Sequence, residues 1–169
     1  MDPELLDTLY RDHVAFVWRT VRRLSGETSD VEDLVHDVFI VLSRRWSDYD
    51  PARALRPYLF GIAYRVVMHA HRRRRREVPS AEVEVTDEAR GPHDHAEAAA
   101  ARRLVLAALM ALTLEERAVF VLSELEEESA PEVAASIGIP VNTVYSRLRR
   151  ARRKFARTVA RLERRGGAR

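Results

Sequence analysis

The stretch that decides the fold is "SAPEVAASIGIPVNTVYSRLRRARRKF", Ser129 to Phe155. Ser129 and Glu132 stand at capping-box spacing, and Pro131 falls in the first turn, where its missing N–H costs little. Val133, Ala134 and Ile137 supply one apolar side of a short helix. Gly138 suits a left-handed C-cap, and Pro140 ends the first helix and opens the next. In that second helix Val141, Val144, Leu148, Ala151 and Phe155 recur at helical spacing, which predicts a buried face. Asn142, Tyr145, Ser146, Arg149, Arg150 and Arg153 fall on the other side. Two helices joined by a short Gly-containing turn make a helix-turn-helix, whose second helix enters the major groove N-terminus first. Asn142, Tyr145 and Ser146 would then meet base edges, and the arginines beyond them phosphates and guanines.

The rest of the chain fits that reading. It has 169 residues, of which 46% are hydrophobic, as in a folded protein of one medium domain or two small ones. Cysteine is absent, which excludes disulfides and thiolate metal sites. No apolar run is long enough to span a bilayer, and no signal-peptide core opens the chain, so a cytoplasmic location is expected. The total charge of +3 conceals an asymmetry. Residues 141–169 hold eleven Lys/Arg against one acidic residue, a net of +10, so residues 1–140 carry −7. A cationic face interleaved with a regular apolar one suits a polyanion. The final "RLERRGGAR" reads as a solubilising tail.

Upstream the pattern is helical throughout, with no convincing strand. A first helix is expected from Asp2, as N-cap before Pro3, to about Leu24. A second, opened by a Ser29/Glu32 capping box, should run from Asp30 to about Arg45. A third should span Pro57 to about Arg76. Residues 77–95 break all periodicity and read as a flexible linker in which His93 and His95 are left to solvent. Helical pattern resumes near Ala96, and Thr113 with Glu116 caps a further helix, "LEERAVFVLSEL". The expected architecture is all-α: two small helical domains, 1–76 and 96–169, joined by the linker 77–95.

Two other segments carry chemistry. Holding single-stranded nucleic acid needs aromatic faces for unpaired bases and cations for the backbone. Residues 46–76 offer Trp46, Tyr49, Tyr58, Phe60 and Tyr64 beside Arg53, Arg56, Arg65 and the run Arg72 to Arg76. Trp46 and Phe60 are assigned to core. The second helix presents Asp30, Asp33 and Asp37 outward, a negative face that suits a protein surface rather than phosphate.

These motifs resemble a known family. "LEERAVFVL", "EVAASIGIP" and "TVYSRLRRARRK" are similar to region 4 of bacterial RNA polymerase sigma factors, in the compact extracytoplasmic-function (ECF) group. "SDVEDLVHDVFIVLSRRW" and "RPYLFGIAYRVVMHAHRRRRR" resemble region 2 of the same family. The resemblance covers about 5–76 and 103–156. It implies that residues 1–76 are sigma region 2 and 96–169 sigma region 4. The implied minus-35 contacts are Asn142, Thr143, Tyr145, Ser146, Arg149, Arg150 and Arg153. The implied minus-10 and melting contacts are Tyr49, Arg53, Arg56, Tyr58, Tyr64, Arg65, Arg72 and Arg73. Asp30, Asp33 and Asp37, with His36, Phe39 and Ile40 beside them, would dock on the polymerase clamp helices. The implied partners are the core polymerase (clamp helices and flap), promoter DNA and an anti-sigma factor, with no membrane insertion. Five places depart from the family pattern: His36 replaces a usual Gln, Tyr58 a common Trp, "IAYR" at Ile62–Arg65 the usual "IARN", Asn142 a frequent Gly and Tyr145 a frequent Lys or Arg.

No catalytic constellation, phosphate loop or ligand cluster emerges, so neither an enzyme nor a cofactor or metal is expected. A nucleic-acid-modifying enzyme would need such a cluster. A stand-alone helix-turn-helix regulator would need a receiver or ligand domain, which the first 76 residues do not resemble.

Overall fold

The computed structural model describes residues 1–26, 30–77 and 93–166. They form α1 (Pro3–Ser25), α2 (Val31–Arg44), a 3-10 turn (Trp46–Asp48), α3 (Leu55–Glu77), α4 (His93–Met110), α5 (Leu114–Phe120), a π turn (Val121–Leu125), α6 (Ala130–Ile137) and α7 (Val141–Gly166). No strand occurs among the described residues. The protein is all-helical, with α1–α3 making one small domain and α4–α7 the other.

Local chemistry sets most boundaries. The Asp2 carboxylate accepts from the Glu4 amide at 3.0 Å, so α1 begins at Pro3. Its end is Gly26, at φ 83°. Asp30 is the N-cap of α2, without a side-chain cap bond, and Ser29 of the expected Ser29/Glu32 box lies outside the described residues. Both boxes in the second domain form, Thr113 with Glu116 and Ser129 with Glu132. Gly138 adopts φ 72°, ψ 45°, the left-handed C-cap expected of it.

The observed elements depart from the expected ones at the edges of the linker and in the helix after Thr113. Residues 78–92 of the expected linker lie outside the described residues. Its edges are helical, because α3 continues through Glu77 and α4 begins at His93. The side chains of His93 and His95 are likewise outside the described set. The helix after Thr113 widens into a π turn at Val121–Leu125, after which the Glu126 amide donates back to the Val121 carbonyl. The segment read as a solubilising tail is helical as far as Gly166, and Arg161, Glu163, Arg164 and Arg165 in it are exposed. α7 is continuous to Gly166, with Thr158 buried and α4 packed along it.

In the first domain α1, α2 and α3 pack on one another through Val17, Val21, Leu24, Val38, Leu42, Leu59 and Ile62. In the second, Leu109, Ala118, Val119, Leu122, Val133, Val144 and Ala151 fill the space under α7. The two sets join in one hydrophobic cluster, because α3 packs on α6 and the end of α1 meets α4 and α5.

Candidate nucleic-acid interface

The helix-turn-helix is built as its sequence implies. Val144 and Ala151 are fully buried, so α7 is fixed about its axis and its opposite face must point outward. Tyr145 stands on that face with 59% of its surface exposed, the largest value among the large hydrophobic residues. Asn142 and Arg149 are exposed beside it, while Thr143 and Ser146 are half-buried. The Ser146 hydroxyl donates to the Thr143 carbonyl at 3.0 Å, which draws it into the helix.

The cations of α7 divide into two groups, which sequence reasoning missed. The Glu116 side chain, 7% exposed, receives both hydrogen bonds of Lys154 Nζ, at 3.0 and 2.8 Å, and lies 3.8 Å from Arg150 Nε. Glu124 accepts from Arg152 Nε and Nη2 at 2.9 and 2.6 Å. Arg152 and Lys154 are therefore scaffold ties between α7 and the α5–π segment, and Arg150 is partly so. Arg149 and Arg153 make no ion pair among the described residues and keep their charge for a ligand. Burial pushes the Glu116 carboxyl up. The hydrogen bonds from Lys154 and the Thr113 backbone, with the charges of Lys154 and Arg150, outweigh that and hold it below the ordinary carboxylate range.

The aromatic and basic segment 46–76 is ordered by its own contacts. Trp46, Tyr49 and Tyr58 form a ladder with ring centroids 5.1 Å apart at each step. The Tyr49 hydroxyl donates to the Arg53 carbonyl at 2.6 Å and the Tyr58 hydroxyl to the Arg45 carbonyl at 3.1 Å. Tyr49, the middle ring, thus holds its loop as much as it offers a face. The Arg56 guanidinium lies 5.5 Å from the Phe16 ring centre. Arg53, Arg72 and Arg73 are exposed. Tyr64 is a correction: only 8% exposed, it is packed toward the second domain, where burial, and then the charge of Glu115, raise its pKa. Arg65 turns the same way, Nη2 donating to the Ser136 carbonyl at 3.4 Å.

On α2, Asp33, His36 and Asp37 are exposed and Ile40 is half-buried. Phe39 is buried, with its ring 4.7 Å from that of Tyr10 on α1, so it floors the site rather than facing a partner. With His36, Ile40, Leu6 and Tyr10 it lines an apolar groove of about 440 Å³ between α1 and α2. Asp30 pairs with Arg74 of the arginine run, so one carboxylate of the acidic face is already engaged within the domain.

A second missed residue is Arg117. It sits in the apolar run "RAVFVL", the only hint the sequence offers. Its guanidinium is buried and donates to four carbonyls, of Leu109 (2.8 Å), Met110 (3.4 Å), Leu112 (3.0 Å) and Leu24 at the end of α1. Burial lowers its pKa to about 10, and the negative ends of α4 and α1 take the place of a carboxylate. No group of residues able to hold a metal ion occurs among the described residues.

Comparison with known proteins agrees with this arrangement. Residues 9–77 match the family model for sigma-70 region 2, and residues 102–155 match that for sigma-70 region 4. The chain is 34% identical over 164 residues to the ECF RNA polymerase sigma factor SigL of Mycobacterium tuberculosis, covering 94% of this chain and 90% of that one. Among solved structures it is similar to CnrH in complex with the cytosolic domain of CnrY, with TM-score 0.66, 27% identity, and 94% and 90% of the two chains covered. The sigma factor RpoE in complex with the anti-sigma factor NepR from Bartonella quintana shares the fold, with TM-score 0.73 over 91% and 96% of the chains at 21% identity.

Proposed function

The chain belongs to the ECF group of sigma-70 factors, and on that premise we propose that it binds core RNA polymerase, directs it to specific promoters and assists in melting them. The observation that carries this reading is the outward face of α7. An exposed Tyr145 between Asn142 and Arg149, at the entering end of a helix-turn-helix, is suited to base edges in a major groove. Arg153 and, in part, Arg150 supply phosphate contact. In the first domain the Trp46–Tyr49–Tyr58 ladder, with Arg53, Arg56, Arg65, Arg72 and Arg73 nearby, supports a role at the minus-10 element, where stacking holds unpaired bases.

Asp33 and Asp37, with His36 and Ile40, form the surface for the polymerase clamp, and residues 96–169 approach the flap. Domain limits of 1–76 and 96–169 follow from this division of labour. The bond-making chemistry stays with the polymerase, so the chain is a specificity subunit and not an enzyme. It works in the cytoplasm; among the described residues no helix is long and apolar enough to cross a membrane. An anti-sigma factor is a further partner, as for the similar sigma factor RpoE.

The test is reconstitution. Mixed with core polymerase in the absence of DNA, the full chain should co-purify with it, and the holoenzyme should give run-off transcripts from a selected promoter. A chain that binds duplex DNA but not core enzyme is a stand-alone regulator, and this reading is then wrong.

A further inference from the structure

We propose that Tyr145 reads a thymine by its C5 methyl group, that Asn142 reads an adenine in the neighbouring base pair, and that Arg149 reads a guanine about three pairs from that adenine. The inference rests on the reading of α7 as the recognition helix for the minus-35 element, and it assigns the bases that this helix selects.

The outward face of α7 is chemically uneven. Val144 and Ala151, both fully buried, fix the helix about its axis. At about 100° per residue, Asn142, Tyr145 and Arg149 fall within about 60° of one another on the far side. All three are exposed, and Tyr145 shows 59% of its surface. Neighbouring side chains are committed elsewhere. The Ser146 hydroxyl gives its proton to the Thr143 carbonyl, and further along Glu124 and Glu116 hold Arg152 and Lys154.

Tyr145 is the one exposed large hydrophobic residue of α7 among the described residues. A phosphate surface is served by cations, and an aromatic face adds nothing to it. Left in water, the ring gains nothing either. The floor of the major groove, however, offers one apolar group, the C5 methyl of thymine, and apolar contact with it is what tells thymine from cytosine. Asn142 carries the complementary chemistry. Its amide places a donor beside an acceptor, the pair that matches N7 and N6 of adenine. It precedes Tyr145 by about 4.5 Å along the axis, close to one base-pair step of about 3.4 Å. Arg149 lies about 10.5 Å from Asn142, or about three steps, and its planar fork fits O6 and N7 of guanine. The three readers together cover about four base pairs, and Arg153 remains for the phosphate beyond.

Modified bases test this, because they remove single groups from the DNA and leave the protein untouched. Holoenzyme reconstituted from the full chain and core polymerase first selects minus-35 sequences from a random duplex pool. Each thymine of the selected element is then replaced singly by deoxyuridine, which lacks only the methyl. One replacement should lower affinity about fourfold, as expected for one buried methyl group. At that position cytosine should bind more weakly than thymine, and 5-methylcytosine should recover affinity by about the same factor. Tyr145→Ala should no longer distinguish thymine from uracil there, whereas Tyr145→Phe, which keeps the ring, should distinguish them as the parent does. In place of the neighbouring adenine, 7-deazaadenine lacks N7; it should weaken binding by the parent and leave Asn142→Ala indifferent. Arg149→Ala should relax the choice of base at the guanine. A selected element without thymine, uracil tolerated at every thymine, or equal losses in parent and Tyr145→Ala would each overturn the thymine reading and leave the sigma-factor reading standing. So would a Tyr145→Phe variant that behaves as Tyr145→Ala does, since the hydroxyl then makes the contact. A parent indifferent to 7-deazaadenine removes the assignment of Asn142. If no holoenzyme forms, or no minus-35 sequence is enriched, the functional reading fails and takes this inference with it.

Discussion

Replacing Glu116 by Gln should weaken the fold and strengthen DNA binding at once. The carboxylate has three roles: it completes the capping box by accepting from the Thr113 amide at 3.2 Å, receives Lys154, and faces Arg150. The Gln amide oxygen keeps the first and loses the charge behind the other two. A hydrogen bond to a charged partner contributes about 1.5–3 kcal/mol. The Glu116 side chain is buried but that of Lys154 is 47% exposed, so solvent screening brings the expected loss to about 1–2 kcal/mol. At about 2–4 °C per kcal/mol for a chain of this size, the midpoint of thermal unfolding followed by circular dichroism should fall by roughly 2–8 °C. The sign with pH follows from the direction of the shift. Because the folded-state pKa of Glu116 is depressed, its contribution is complete above the ordinary carboxylate value of about 4.3 and is lost as pH falls through the lower folded value. The gap between parent and variant should therefore close on acidification. In DNA binding the variant frees Lys154 and Arg150 for phosphate, and each added contact should steepen the plot of log affinity against log salt by about 0.9. An unchanged unfolding temperature, or weaker binding to scrambled DNA, would refute the assignment of these cations to the scaffold.

Other substitutions separate the remaining roles. Tyr145→Ala or Arg149→Ala should shrink the ratio of selected to scrambled minus-35 affinity by about 1–3 kcal/mol each in a filter-binding or anisotropy titration of holoenzyme. Arg153→Ala should lower both affinities alike and flatten the salt slope by about 0.9; equal effects from all three would make α7 a mere cationic anchor. Asp33→Arg with Asp37→Arg should weaken core polymerase binding while the helical dichroism signal stays intact, and unaltered affinity removes that face from the clamp site. Gly138→Ala places a Cβ in open space but at φ 72°, so it should cost about 1 kcal/mol through backbone strain alone, read as a lower midpoint in denaturant. A midpoint equal to the parent's would mean that the turn relaxes.

What was legible in the sequence was what neighbours in sequence decide. Asp2, Thr113, Ser129 and Gly138 each act within four residues of themselves, and the structure shows each of them as a cap. The buried stripe of α7 follows from a single period. What was hidden depends on partners far along the chain. Nothing near Lys154 announces a carboxylate 38 residues earlier, so a basic helix looks uniformly free when part of it is tied. Tyr64 looks like an accessible ring until the second domain covers it. The π turn at Val121–Leu125 leaves no mark in "VLSEL", because a widened turn needs no special residue.

α7 runs 26 residues, about 39 Å, with no proline or glycine before its last residue. Its first turns carry Asn142 and Tyr145, α4 packs against it, and further along Phe155 stacks on Phe120 at 4.6 Å. A rod of this kind has no joint in which to dissipate a load. A tilt imposed at its Phe155 level therefore reaches Asn142 and Tyr145 without loss.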